Sequence, residues 1–188
     1  MMDDELLRVP LVSPADTAAA VVAPLPVEFP DRRSELAVYR LMANAPGALN
    51  AWLPLCDYFL ETPGLEPRDR EVLILRTGHR CGSAYEWLKH APKAPEVGIS
   101  PAELDALTHD EPLGLDRWTR SLVTFVDELH DHATVSDSTW TTVVERLGPS
   151  LAVTCLMLVG QYHLLAFTLN GAGVVAEPTP DPDPEDPA

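Results

Sequence analysis

The stretch Pro67–Pro92, PRDREVLILRTGHRCGSAYEWLKHAP, decides how the chain folds. Its first half opens with Pro67 in a first turn and acids near the positive end of a helix, then runs through the smooth apolar segment REVLIL. Gly78 and Gly82 punctuate the middle, and SAYEWLKHA resumes a helical pattern. Two helical arms joined by a glycine-flanked reversal are therefore predicted. Reactive side chains crowd the second arm, where fifteen positions from Arg76 to His90 hold two His and one each of Cys, Ser, Tyr, Glu and Trp.

Outward from this hairpin the punctuation stays helical. DRRSELAVYRLMANAP stops before Pro46, and GALNAWLPLCDYFLET follows, with Pro54 either kinking it or marking a new start. SPAELDALT has Ser100 as N-cap, Pro101 next and Glu103 at the third position, a capping box. DRWTRSLVTFVDELHDHA places Trp118, Leu122, Phe125, Val126 and Leu129 at helical spacing. SDSTWTTVVERLG ends at Gly148, and PSLAVTCLMLVGQYHLLAFTLNGAG is apolar around most of its circumference, which predicts the central buried helix. No alternating strand pattern is present. The fold class is all-α, with seven or eight helices.

The organisation is an N-terminal arm over 1–30, a helical domain over 31–176 and a tail over 177–188. Five prolines in the arm (Pro10, Pro14, Pro24, Pro26, Pro30) forbid a long helix and suggest a segment lying on a surface. The tail alternates Pro with acid and is expected to be disordered. The 188 residues carry a formal net charge of -16, which excludes a nucleic-acid or anionic-membrane surface as the natural partner. Three widely spaced cysteines without a C-x-x-C pair fit a reduced, cytoplasmic protein. The segment LAVTCLMLVG is too short to span a bilayer.

On the second arm Ser83, Glu86 and His90 are spaced three and then four, so a helix gives them one face. Glu86 at that spacing can hold the His90 imidazole in one tautomer, as general acid–base chemistry requires. Ser83 is a candidate for binding substrate or a water. Glu71, on the first arm, faces the same pair if the glycines reverse the chain. Two carboxylates and an imidazole in one recess drive one pKa up and keep the other group ionised. Pro92 ends or kinks the helix just after His90, where the negative helix end favours imidazolium. Cys81, Tyr85 and His163 are further candidates for lining the recess. His130 and His132 are two apart, poor metal geometry with no third ligand evident, so no metal or other cofactor is expected.

LEPRDREVLILRTGHRCGSAYEWLKHAPKAPEVGISPAELDAL resembles the carboxymuconolactone decarboxylase family, with its R-E-x-x-I-L-R, Y-E-W-x-x-H and G-[LI]-[ST]-x-x-E-[LI] helices. YRLMANAPGALNAWLPL and VGQYHLLAFTLNGAGV are similar to its flanking helices, so the resemblance covers most of 35–175. The family's branch similar to alkyl hydroperoxide reductase D carries C-x-x-C-x-x-x-H with a Glu twelve residues upstream. Matching the His to His90 puts Ser83 and Glu86 on the two Cys positions and Glu71 on the upstream acid. The acid and imidazole remain while both thiols are absent, and a dithiol peroxidase cycle needs its resolving thiol. The resemblance thus implies a cofactor-free lyase or isomerase in which His90, Glu86 and Glu71 move protons on a small oxygenated acid or lactone. It also implies a homo-oligomer, as dimer, trimer or hexamer. A single-cysteine antioxidant using Cys81 and a non-catalytic oligomeric binding protein are the alternatives.

Overall fold

The computed structural model describes residues 7–22 and 32–175. Much of the proline-rich arm and the whole of the acidic tail therefore lie outside the described residues. Among those described there are eight α-helices and no strand. They are α1 Pro14–Ala20, α2 Ala37–Met42, α3 Pro46–Leu60, α4 Pro67–Arg80, α5 Ala84–His90, α6 Pro101–Ala106, α7 Arg117–His132 and α8 Asp137–Ala172. The all-α reading holds.

Local chemistry explains most boundaries. Ser13, Ser83, Ser100, Asp116 and Ser136 each place a side-chain oxygen on an orphan amide of the first turn. Ser100 and Glu103 complete the expected capping box. Pro92 sits in a single 3-10 turn, Ala91–Lys93, immediately after α5, so His90 is the last α-helical residue, as the sequence predicts. Two expectations change. Helix α2 is shorter than its sequence pattern, because a 3-10 turn, Arg32–Glu35, precedes it. Helix α3 runs unbroken through Pro54.

The central element also differs from expectation. Every residue of α4 from Glu71 to Gly78 is buried, because α5, α7 and α8 pack around it. Helix α8 is instead two-faced: Cys155, Leu158, Val159, Tyr162 and Leu165 face the core, while Val153, Met157, Leu164 and Phe167 are exposed. Backbone at Gly148 breaks α8, with φ 80° and ψ 162°, a conformation essentially restricted to glycine, and Pro149 starts the second arm. Helix α8 thus joins the two sequence stretches across this break and ends at Ala172, as the second of them suggests. By length and composition alone it is apolar enough to cross a bilayer, and half of that apolar window is buried inside the fold.

The core is anchored by a buried cation. Arg76, fully buried on α4, forms a two-pronged pair with Asp127 on α7, both contacts at 2.8 Å. Its remaining nitrogen, Nη1, donates to the carbonyls of Leu107 and His109 at 2.8 Å each. Such pairing supplies the partners that a desolvated guanidinium requires. The described part of the arm lies along this bundle. Arg8 donates its backbone N–H to Ala172 O, Val12 donates to Arg40 O, and Asn44 reaches Pro10 O.

Candidate active site

Helices α4 and α5 fold back on each other over the turn at Cys81–Ser83, where Gly82 takes φ 59°. Gly78 lets them close: a Cβ on Gly78 would lie 3.2 Å from the Glu86 Cβ. This approach brings Glu71 on α4 to Glu86 and His90 on α5. All three side chains are buried.

His90 Nδ1 donates to Glu71 Oε2 at 2.7 Å. Nε2 is thereby left with its lone pair, 3.4 Å from the Tyr162 hydroxyl and 3.7 Å from Glu86 Oε2. The orienting role expected of Glu86 thus falls to Glu71: helical spacing makes Glu86 a neighbour of the ring, but Glu71 takes its hydrogen-bonding nitrogen. Tyr162, on α8, stacks edge-to-face on the imidazole at 5.4 Å. Arg70 Nε lies 3.8 Å from the other Glu71 oxygen, Oε1.

Burial sets the electrostatics. It pushes the Glu86 carboxyl up to about 7, with Lys93 opposing and Glu71 adding. It lowers the His90 imidazole below its usual value, and this outweighs the raising effect of Glu71. The expected helix-end preference for imidazolium is therefore overridden, since removing the ring from water costs more than the helix end returns. The Tyr162 hydroxyl is held well above its ordinary range by burial, so it is a donor and not a phenolate. Near neutrality the recess holds a neutral base, its Nε2 lone pair facing the Tyr162 hydroxyl, beside a carboxyl near its own midpoint. That combination suits paired proton transfer.

His90, Glu86 and Tyr162 open onto a cavity of about 230 Å³, whose wall includes Tyr39, Trp52, Cys56 and Tyr85. Lys89 and Lys93 also line it, two cations on a strongly acidic chain. Tyr85 lines the cavity as expected, and its hydroxyl accepts the Val38 backbone N–H at 3.3 Å, which ties α2 to α5. The Trp52 indole N–H is buried without a hydrogen-bond partner. Burial pushes the Cys56 thiol up to about 12.

Three predicted site residues are elsewhere. Ser83 does not face the cavity: its oxygen caps α5 by accepting from the Glu86 amide at 3.4 Å, and it lines a separate groove with Gly78 and Trp87. Cys81 caps the end of α4 and turns toward α7 and α8, because the reversal begins at its own backbone. His163 faces away from His90, next to Cys81 and His130. Sequence reading did not single out Tyr162, since an aromatic on a buried helix reads as core. The one available signal was the polar run Gln161–His163 within an apolar helix.

Residues 46–125 match the family model described as the carboxymuconolactone decarboxylase family. The match runs from α3 into α7 and includes Glu71, Glu86 and His90; Tyr162 lies beyond it. No curated protein matches the chain.

Proposed function

We propose that this chain, whose residues 46–125 match the carboxymuconolactone decarboxylase family model, is a cofactor-free enzyme of that kind, moving protons on a small oxygenated acid or lactone. The observation that carries this reading is the Glu71–His90 hydrogen bond, which leaves an unprotonated Nε2 in the recess beside Glu86. His90 Nε2 takes a proton from the substrate. Glu86, protonated in part near neutrality, returns one at a second position, where a bond to carboxylate or lactone oxygen breaks. Glu71 holds the ring and stabilises the imidazolium as it forms. Exchange with solvent then resets both groups. The Tyr162 hydroxyl donates to oxygen on which charge accumulates.

The cavity's size and lining support the substrate class. At about 230 Å³ it lies below the roughly 300 Å³ at which drug-sized ligands begin to fit. Lys89 and Lys93 on its wall favour a carboxylate. The thiol-based alternative gains no support: Cys81 is outside this recess, and burial pushes its thiol up to about 11. The protein acts in the cytoplasm and as a homo-oligomer in this proposal. The exposed apolar side chains of α8, Val153, Met157, Leu164 and Phe167, support self-association.

The test is solvent-deuterium incorporation into a panel of small carboxylic acids and lactones, followed by mass spectrometry. Turnover by the native protein with loss of about 100-fold or more in His90→Ala is expected. Full activity in His90→Ala would remove the imidazole from the mechanism.

A further inference from the structure

On the other side of α8 from Tyr162 lies a group of side chains that proton transfer does not use. Cys81, His130 and His163 each offer one ligand atom, and those atoms lie within 4.8 Å of one another. They come from three elements: the end of α4, the last turn of α7 and the second arm of α8. Cys81 Sγ is 3.9 Å from His130 Nδ1, and His163 Nε2 is 3.0 Å from the same nitrogen. We propose that Cys81, His130 and His163 form a zinc site, with Sγ, Nδ1 and Nε2 as ligands and water in the fourth position.

The shared atom separates this reading from a nucleophile with its base. A cysteine–histidine dyad uses one ring nitrogen for the thiol and the other for an orienting group. Here both neighbours approach the same nitrogen, Nδ1, so the three donor atoms form one group within 4.8 Å. The tautomer of His163 agrees. Its Nδ1 donates to Val159 O at 2.9 Å, so Nε2 carries the lone pair. A backbone carbonyl on the non-coordinating nitrogen is the usual outer support of a metal-bound histidine. Cys81 is anchored as well: its N–H donates to Thr77 O at 2.9 Å, and its carbonyl accepts from Asn170 Nδ2 at 2.8 Å.

Donor chemistry selects the ion. One sulfur and two imidazole nitrogens, without a carboxylate, suit zinc and not calcium or magnesium. Tetrahedral bonds of about 2.1 Å to nitrogen and 2.3 Å to sulfur require edges of about 3.4 Å and 3.6 Å, so the 3.0 Å and 3.9 Å contacts need shifts of a few tenths of an ångström, and the third edge, Cys81 Sγ to His163 Nε2, must close to about 3.6 Å from within 4.8 Å. All three residues are partly exposed, which leaves a path for the ion and room for water. Arg80, the nearby cation, is paired with Asp131 and Asp127, which offsets its charge. On binding, the Cys81 S–H proton passes to solvent as the zinc–sulfur bond forms. His130 moves its proton from Nδ1 to Nε2, and nothing is oxidised or reduced.

The untagged protein is stripped with a chelator, dialysed against zinc and measured for bound metal by mass spectrometry. One zinc per chain is expected. Cys81→Ser and His163→Ala should bind at least about 100-fold more weakly, since loss of an outer partner alone costs about 10- to 100-fold. His90→Ala should retain the metal, so a failure here is distinguishable from a failure of the proton-transfer reading. Two readouts avoid reliance on variant folding: a thiolate-to-cobalt charge-transfer band in the cobalt-loaded native protein, and zinc protection of Cys81 from alkylation read by peptide mapping. Native protein that retains no more zinc than Cys81→Ser, lacks the cobalt band, or leaves Cys81 equally reactive with and without zinc would overturn the proposal.

Discussion

Two buried acids serve one imidazole in different ways, and the difference is set at single atoms. Glu71 occupies Nδ1 of His90, while Glu86 stands 3.7 Å from Nε2 and is pushed up to about 7 by burial. The proposed proton transfer needs a neutral base and a protonated acid together. Turnover should therefore rise as pH climbs through the lowered His90 value and fall as pH passes about 7. Glu86→Gln should lower kcat/KM by about 100-fold or more, and a pH series of the residual activity should lack the falling limb. The same group has a stability consequence of definite sign. Its folded pKa lies above the unfolded value, so the stability present below about pH 4.5 is lost as pH rises through about 7, by about 3 kcal/mol. The melting temperature of Glu86→Gln should accordingly gain on the native protein across that window; a constant difference would mean that Glu86 ionises normally. Sequence spacing brought Glu86 and His90 together correctly but misassigned the orienter. Spacing fixes which residues share a face, whereas the nitrogen that each acid meets depends on rotamers and on the facing helix.

At the scale of elements, α4 organises the molecule because it is buried on all sides, and Arg76 is its fixed point. Truncating Arg76 leaves two carbonyls without their donor and Asp127 with only the longer Arg80 contact at 3.6 Å, so Arg76→Ala should destabilise the fold by about 3–5 kcal/mol in denaturant titration. A loss below about 1 kcal/mol would show that water replaces the guanidinium freely. The start of α6 was legible because Ser100 and Glu103 cap by chemistry written at adjacent positions. The centre of the bundle was not legible. The α4 sequence interrupts its apolar run with Glu71, Arg76 and Thr77, while the apolar α8 reads as the buried centre. Pairing inside the fold reverses that ranking. Nor does any sequence signal join Cys81, His130 and His163, whose neighbourhood is made by three helices meeting at one end.

The whole molecule combines a strongly acidic chain with a local cationic lining at the cavity and an apolar stripe along α8. The charge discourages non-specific association between copies, so a stable homo-oligomer needs an apolar contact to overcome it. Met157→Glu with Leu164→Glu, both on exposed positions, should lower the mass observed by analytical ultracentrifugation while leaving the helical circular dichroism signal unchanged. Unchanged mass in the double variant would assign self-association to a different face.

The narrow gap at Gly78 has one more consequence. Glu71 and His90 ride on opposite jaws of a calliper, and the hydrogen atom that serves as the Gly78 side chain sets how far it closes. A methyl group added there touches neither partner, yet it would spread the jaws and lengthen the bond that sets the ring's tautomer. The geometry of the Glu71–His90 pair is thus governed from a position bearing no functional group at all.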